Sequence, residues 1–111
     1  MFFMRFLLSK NGIISFVDTD ISYLRDKILP FLKAAGVKRG AFFGSFAKGQ
    51  AKADSDLDVL IDFPKNQSLL DFVRLKLQLE ESLKRKVDLV EYDLIKPAIR
   101  DEVLKSQIII L

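Results

Sequence analysis

Two aspartates, Asp56 and Asp58, stand two residues apart at the start of an apolar run, and a third, Asp88, lies inside another, Val87 to Val90. If those runs are strands, side chains alternate, and Asp56 and Asp58 share a face, about 7 Å apart at their Cα atoms. Like charges that close repel unless a counter-charge lies nearby. Magnesium, a hard cation that takes carboxylate oxygens, is the natural one. A lone Asp-x-Asp is more often a solvated strand edge, but its surroundings here count against that. Gly44-Ser45 directly follows a third apolar run. Glycine lets a ligand approach the backbone closely, and backbone N–H groups with a serine hydroxyl can hold a phosphate oxygen. Lys48 and Lys52, in the same loop, would offset phosphate charge. Asp88 needs a partner within its apolar strand. If that strand neighbours the one bearing Asp56 and Asp58, three carboxylates and a phosphate-binding loop make a two-metal site for phosphoryl transfer.

The composition narrows the chemistry further. The chain of 111 residues contains no histidine and no cysteine. Imidazole bases, His-containing zinc sites, thiolate nucleophiles and disulfides are therefore excluded. What remains is carboxylates, hydroxyls, lysines, arginines and bound metal. Half the residues are hydrophobic and 30% are charged, the balance of a globular domain rather than a disordered one. The length suits a single domain over residues 1–111. A net charge of +3 is too small to indicate nucleic acid, and direct nucleic-acid binding is not expected. Met1 to Leu8 is apolar apart from Arg5, far short of the ~20 residues of a membrane span. Ser9-Lys10-Asn11-Gly12 interrupts it and no small-residue cleavage site follows, so it is a poor signal peptide. The expected location is the cytoplasm.

The elements that must position these residues can be read from periodicity. Asn11-Gly12 between two apolar runs marks a hairpin over residues 2–17; an N-terminal extension over 1–20 with little fixed structure is the alternative. Asp18, Thr19 and Asp20 are candidate caps for a helix through Ile21, Leu24, Ile28 and Leu32. Pro30 should kink or restart that helix, and Gly36 should stop it. Val37–Phe43 is predicted as a strand. Residues 44–55 form a loop with room for one helical turn, and Leu57–Phe63 forms a second strand. Ser68 should cap a helix over Leu69–Lys84, whose apolar positions 69, 72, 73, 79 and 83 follow a helical period. Val87–Tyr92 is a third strand, and Pro97 opens a short helix through Leu104. Ile108–Leu111 is an apolar end that either completes the sheet or leaves an edge for a partner to cover. The order predicts an α/β (α+β) domain, one small mixed sheet with helices packed on it.

Gly44-Ser45, ten residues, then Asp56-Leu57-Asp58 resembles the Gly-Ser-x10-Asp-x-Asp signature of the nucleotidyltransferase superfamily related to DNA polymerase beta. Phe43 to Gly49 and Asp54 to Leu60 look like the small minimal nucleotidyltransferases of bacteria and archaea. Lys86-Val87-Asp88-Leu89-Val90 resembles that family's third-acid strand, and Pro97 with Arg100 to Leu104 its C-terminal helix. The resemblance spans roughly residues 24–111. Lysines 48 and 52 stand where arginine is common, and Lys84 where a glycine often ends the helix. The resemblance implies that the outer phosphates of ATP rest on Gly44-Ser45. Asp56 and Asp58 would hold one Mg2+, and Asp56, Asp58 and Asp88 a second. Asp88 would help to remove the acceptor's proton. Family members of this size act as antitoxins, transferring AMP from ATP to a tyrosine of a HEPN-type ribonuclease toxin. The alternative is a non-catalytic antitoxin that neutralises the toxin by covering it. The chain has no second domain to bind an acceptor, so a hetero-oligomer with the partner is expected.

The remaining candidates weigh less. Asp62 shares the Asp58 face by alternation but lies further along, and is expected to be structural or partner-facing. Asp54 and Ser55 should shape the loop. Lys84-Arg85-Lys86 is best explained as a solvated helix end, without the aromatic pattern that stacks on bases. Phe46, beside Ser45, is the one of ten phenylalanines expected to line a nucleotide or acceptor pocket.

Overall fold

The computed structural model describes residues 21–52 and 55–111. The expected hairpin over 2–17, the candidate caps at 18–20, and Asp54 lie outside the described residues. Helix α1 runs over Ile21–Ala34, with Leu24, Ile28 and Leu32 buried at four-residue spacing. It runs through Pro30 without the expected restart. Proline costs the bond to the carbonyl four residues back. Here that carbonyl belongs to exposed Asp26, where water can replace the missing donor. Gly36 stops the helix as expected. At φ +83° it lets its own N–H donate to the Lys33 carbonyl and that of Val37 donate to Leu32, each at 3.0 Å. Those two bonds form a Schellman closure.

The strands are β1 (Gly40–Phe43), β2 (Leu57–Ile61), β3 (Val87–Glu91) and β4 (Ile108–Ile109), in the spatial order β3-β2-β1-β4. β1 is antiparallel to both β2 and β4, while β2 and β3 are parallel. The sheet is therefore mixed, as predicted, and the C-terminal residues complete it. Strand alternation sorts its residues into two layers. Phe42, Val59 and Leu89 face one side, against Leu24, Ile28 and Leu32 of α1 and Leu75 and Leu79 of helix α3 (Leu69–Leu83). Ala41, Leu60 and Val90 face the other, with Tyr92 and Ile95 and with Val103 and Leu104 of helix α4 (Pro97–Ser106). Asp58 and Asp88 belong by alternation to this second face, beyond the patch that α4 covers.

Helix α3 begins at a capping box. The Ser68 hydroxyl accepts from the Asp71 N–H at 3.2 Å, and the Asp71 carboxylate accepts from the Ser68 N–H at 3.0 Å. The bond from the Ser68 N–H, and one donated by the Ser68 hydroxyl at 3.0 Å, hold the Asp71 carboxyl below its ordinary value. At the far end Lys84 adopts the left-handed conformation at φ +55°, where a side chain costs roughly 1–2 kcal/mol and glycine costs little beyond its own entropy. Lys84→Gly should therefore stabilise the protein by about 0.5–1 kcal/mol, read as a higher urea midpoint at unchanged m-value. A lower midpoint would show that the Lys84 side chain contributes more than its backbone costs.

Candidate active site

Parallel pairing sets Asp58 of β2 directly beside Asp88 of β3. On the opposite flank Phe43, the last residue of β1, pairs with Asp58. The chain then turns at once into a single helical turn, α2 (Gly44–Ala47). Gly44 has φ +68°, and a Cβ there would collide with the Asp58 carboxylate. Glycine is thus required twice, for the backbone angle and for the space that the aspartate occupies. The Gly-Ser turn and the Asp-x-Asp strand are in contact, not merely near in sequence.

Burial, then the charge of Asp88, then that of Asp56 raise the Asp58 pKa from 3.8 to about 6. Asp56 and Asp88 are themselves exposed, and Asp58 is half-buried. Three acids of one sign thus gather at one end of the sheet. Among the described residues no three carboxylates converge into a ready-made metal cage. Magnesium does not require one, because it keeps several waters and is usually held by one or two carboxylates together with substrate phosphates. An all-oxygen donor set, repelling itself and open to solvent, suits that ion. Asp58 with Asp88, and Asp56 beside them, are the residues that would hold it.

Ser45 is half-buried, and its carbonyl accepts from the Gln50 N–H at 2.8 Å. Lys48 leans across to α4, where its Nζ lies 3.0 Å from Glu102. Both side chains are largely exposed, so this pair contributes at most about 1 kcal/mol and Lys48 can exchange it for a phosphate. Lys52 is exposed; its N–H donates to the Ser55 hydroxyl at 2.8 Å. Asp62 falls just past the end of β2, exposed, its N–H donating to the Arg39 carbonyl at 2.9 Å.

Phe46 is a correction. It does not line an open pocket but lies buried, 3% exposed, in the core beneath α1 and α3. A helical turn rotates each residue by about 100°, which turns position 46 inward while Gly44 and Ser45 stay at the rim. Arg85 is a second correction. It is half-buried rather than a solvated helix end, with its Nη1 donating to the Ser55 carbonyl at 2.9 Å. No pattern of charge in a basic run marks which residue turns inward.

Beside Asp88 a cavity of about 320 Å³ opens between the sheet and α4. Its walls are apolar and include Phe43, Leu60, Val90 and Ile99, with Asp88 and Lys96 as its charged members. Tyr92 holds α4 over it. Its hydroxyl donates to Gln107 at 2.8 Å, and its carbonyl accepts from Arg100 at 3.2 Å. Larger hollows of about 580 and 520 Å³ lie elsewhere and touch none of the three acids.

The sequence profile of the Polymerase beta nucleotidyltransferase family matches residues 26–111. The chain belongs to the nucleotidyltransferases. A Methanocaldococcus jannaschii protein, provisionally named protein adenylyltransferase MJ0435, is 42% identical over 92 residues, 83% of this nucleotidyltransferase and 99% of the relative. Protein adenylyltransferase MntA of Thermococcus cleftensis is 44% identical over 71 residues, 64% of this chain and 72% of that one. Among solved structures, a provisionally assigned minimal nucleotidyltransferase superposes with a TM-score of 0.70 at 38% identity, over 82% of this chain and 93% of that one. The fold is also that of a chain in the complex of a tri-AMPylated Shewanella oneidensis HEPN toxin with its MNT antitoxin. That match has a TM-score of 0.63 at 17% identity, over 81% and 71% of the two chains.

A carboxylate whose folded pKa is raised binds its proton more tightly folded than unfolded, so stability falls as pH rises between the two values. In chelator, the Asp58 contribution should decline from about pH 4 to about pH 6 and stay level above that. Asp58→Asn should flatten this slope. At pH 7.5 it should raise Tm by about 4–8 °C, the shift that ~1 kcal/mol produces in a domain of this size. Melting curves across pH check this; an unchanged slope in the variant would show that Asp58 is not the titrating group.

Proposed function

We propose that this nucleotidyltransferase is an antitoxin that transfers AMP from ATP to a tyrosine hydroxyl of a HEPN-type toxin in the cytoplasm. The observation that carries the proposal is the contact between the Gly44 turn and the Asp58 carboxylate, with Asp88 in register beside it. It brings a phosphate-holding turn and an acid cluster within reach of one triphosphate. The names of the archaeal relatives and the likeness in fold to an MNT antitoxin complexed with an AMPylated HEPN toxin support the choice of acceptor.

In this reaction Gly44 and Ser45 hold the outer phosphates, and Lys48 leaves Glu102 to offset their charge. Asp56, Asp58 and Asp88 are the residues that would hold two magnesium ions. Bound magnesium would neutralise the triphosphate, make pyrophosphate a better leaving group and lower the pKa of the acceptor hydroxyl. Asp88, exposed at the sheet end, would take that proton. The hydroxyl oxygen then bonds to the α-phosphorus, the α-phosphorus bond to the bridging oxygen breaks, and pyrophosphate departs. No helix among the described residues is long and apolar enough to cross a membrane, which is compatible with a cytoplasmic reaction.

Incubating a cognate HEPN protein with this chain, Mg2+ and each of the four ribonucleotides separately provides the test. Its intact mass should rise by one or more AMP units with ATP. The Asp56→Asn, Asp58→Asn double variant should lower that rate by at least about a hundredfold, as expected when metal-borne catalysis is removed. A tight complex with no mass gain for any nucleotide would overturn the proposal and leave neutralisation by binding alone.

A further inference from the structure

We propose that Arg85 is a positioning residue for the acid cluster, one side chain that ties together the three segments bearing the proposed nucleotide- and metal-binding groups. This inference rests on the assignment of Asp56, Asp58 and Asp88 as metal ligands.

Asp56 lies just ahead of β2, and Ser55, next to it, belongs to no helix or strand. Local bonds shape this stretch: the Ser55 N–H donates to the Lys52 carbonyl at 3.0 Å, and its hydroxyl accepts from the Lys52 N–H at 2.8 Å. Those bonds close a turn but do not fix where the turn sits relative to the sheet. The Leu57 N–H, donating to the Lys86 carbonyl at 3.0 Å, holds the strand end just after Asp56, and the Arg85 guanidinium adds the tie just before it, donating to the Ser55 carbonyl at 2.9 Å. Arg85 itself lies three residues before Asp88, between α3 and β3. Its guanidinium carbon also lies 5.3 Å from the ring centroid of Phe46, on the Gly-Ser turn. A single planar group therefore reaches the turn that holds phosphate and the residue before the first acid, from the segment leading to the third.

The site needs such a tie. Three carboxylates that repel one another move apart unless their backbones are held, and only Asp58 lies within a paired strand between two neighbours. Asp56 precedes the first paired residue of β2, Leu57. Arginine suits the task because its flat guanidinium can lie against a ring and still donate in its own plane. Lysine keeps the charge but offers neither the plane nor the fork.

Mg2+ alone is the probe, with melting curves recorded across its concentration for wild type, Arg85→Ala, Arg85→Lys and Ser68→Ala. The last weakens the α3 cap far from the acids and controls for a general loss of stability. Arg85→Ala should raise the Mg2+ concentration that gives half the Tm increase by about 10–100-fold, the usual cost of losing a group that orients metal ligands. Arg85→Lys should recover part of it, and Ser68→Ala should leave it unchanged while lowering Tm. In chelator, amide exchange at residues 55–57 should be faster in Arg85→Ala than in wild type. In transfer assays kcat should fall about tenfold or more, with the KM for ATP within about twofold.

A wild-type Mg2+ midpoint in Arg85→Ala would overturn the proposal. So would an equal shift in Ser68→Ala, or no Mg2+ response in wild type. A wild type that responds to Mg2+ but transfers no AMP would overturn the antitoxin reaction while leaving Arg85 its role.

Discussion

Parallel pairing of β2 with β3 forces Asp58 and Asp88 side by side, and like charges directly opposite each other on neighbouring strands destabilise a sheet. The rest of the domain supplies what holds them there. Leu57 pairs with Val87 and Val59 with Leu89, and these residues are buried under α1 and α3. The register cannot slip by one residue, because that would turn every buried side chain to the wrong face. Apolar packing on one side of the sheet thus fixes a repulsive pair on the other. Burial first, and then that conflict, raise the pKa of Asp58, and a divalent cation with a triphosphate would relieve the repulsion.

The opposite flank works by subtraction. Gly44 lacks the one atom that would strike Asp58, and the helical turn it opens buries Phe46 as an anchor. Helix α4 closes the third side, held by Tyr92 through Gln107 and Arg100. Its Glu102 keeps Lys48 near the Gly-Ser turn by a weak, replaceable ion pair. Packing therefore concentrates at the strands, while Asp56, Asp88 and Lys48 stay exposed to solvent.

The amino-acid sequence reveals the local parts of this site. Alternation at 56 and 58, the glycine at 44 and the cap at Ser68 depend on neighbours within a few residues, so they can be read before any fold is known. Tertiary outcomes are less legible. The apolar run suggests a strand from Val37, but the β1 ladder begins at Gly40, which pairs with Ile61 at the end of β2. The inward turn of Phe46 depends on how a single helical turn sits on the core. Arg85 reaches a carbonyl thirty residues away and Lys48 a carboxylate fifty-four away, and no local pattern in composition or period encodes either partner. Pro30 failed to break α1 because its missing bond falls on the exposed side. That is a consequence of packing, whereas the expected restart was a property of proline alone.

The fold half-buries Asp58 and presses like charges against it, a strain that a bound divalent cation would relieve. The most direct measurement is the titration of the Asp58 side-chain carboxyl by NMR, first in chelator and then with Mg2+ and a non-hydrolysable ATP analogue. The account predicts an apparent pKa of about 6 without metal, falling below the ordinary carboxylate range once cation and nucleotide are bound. An ordinary value near 4 in chelator, or a raised value that Mg2+ and nucleotide leave unmoved, would contradict it.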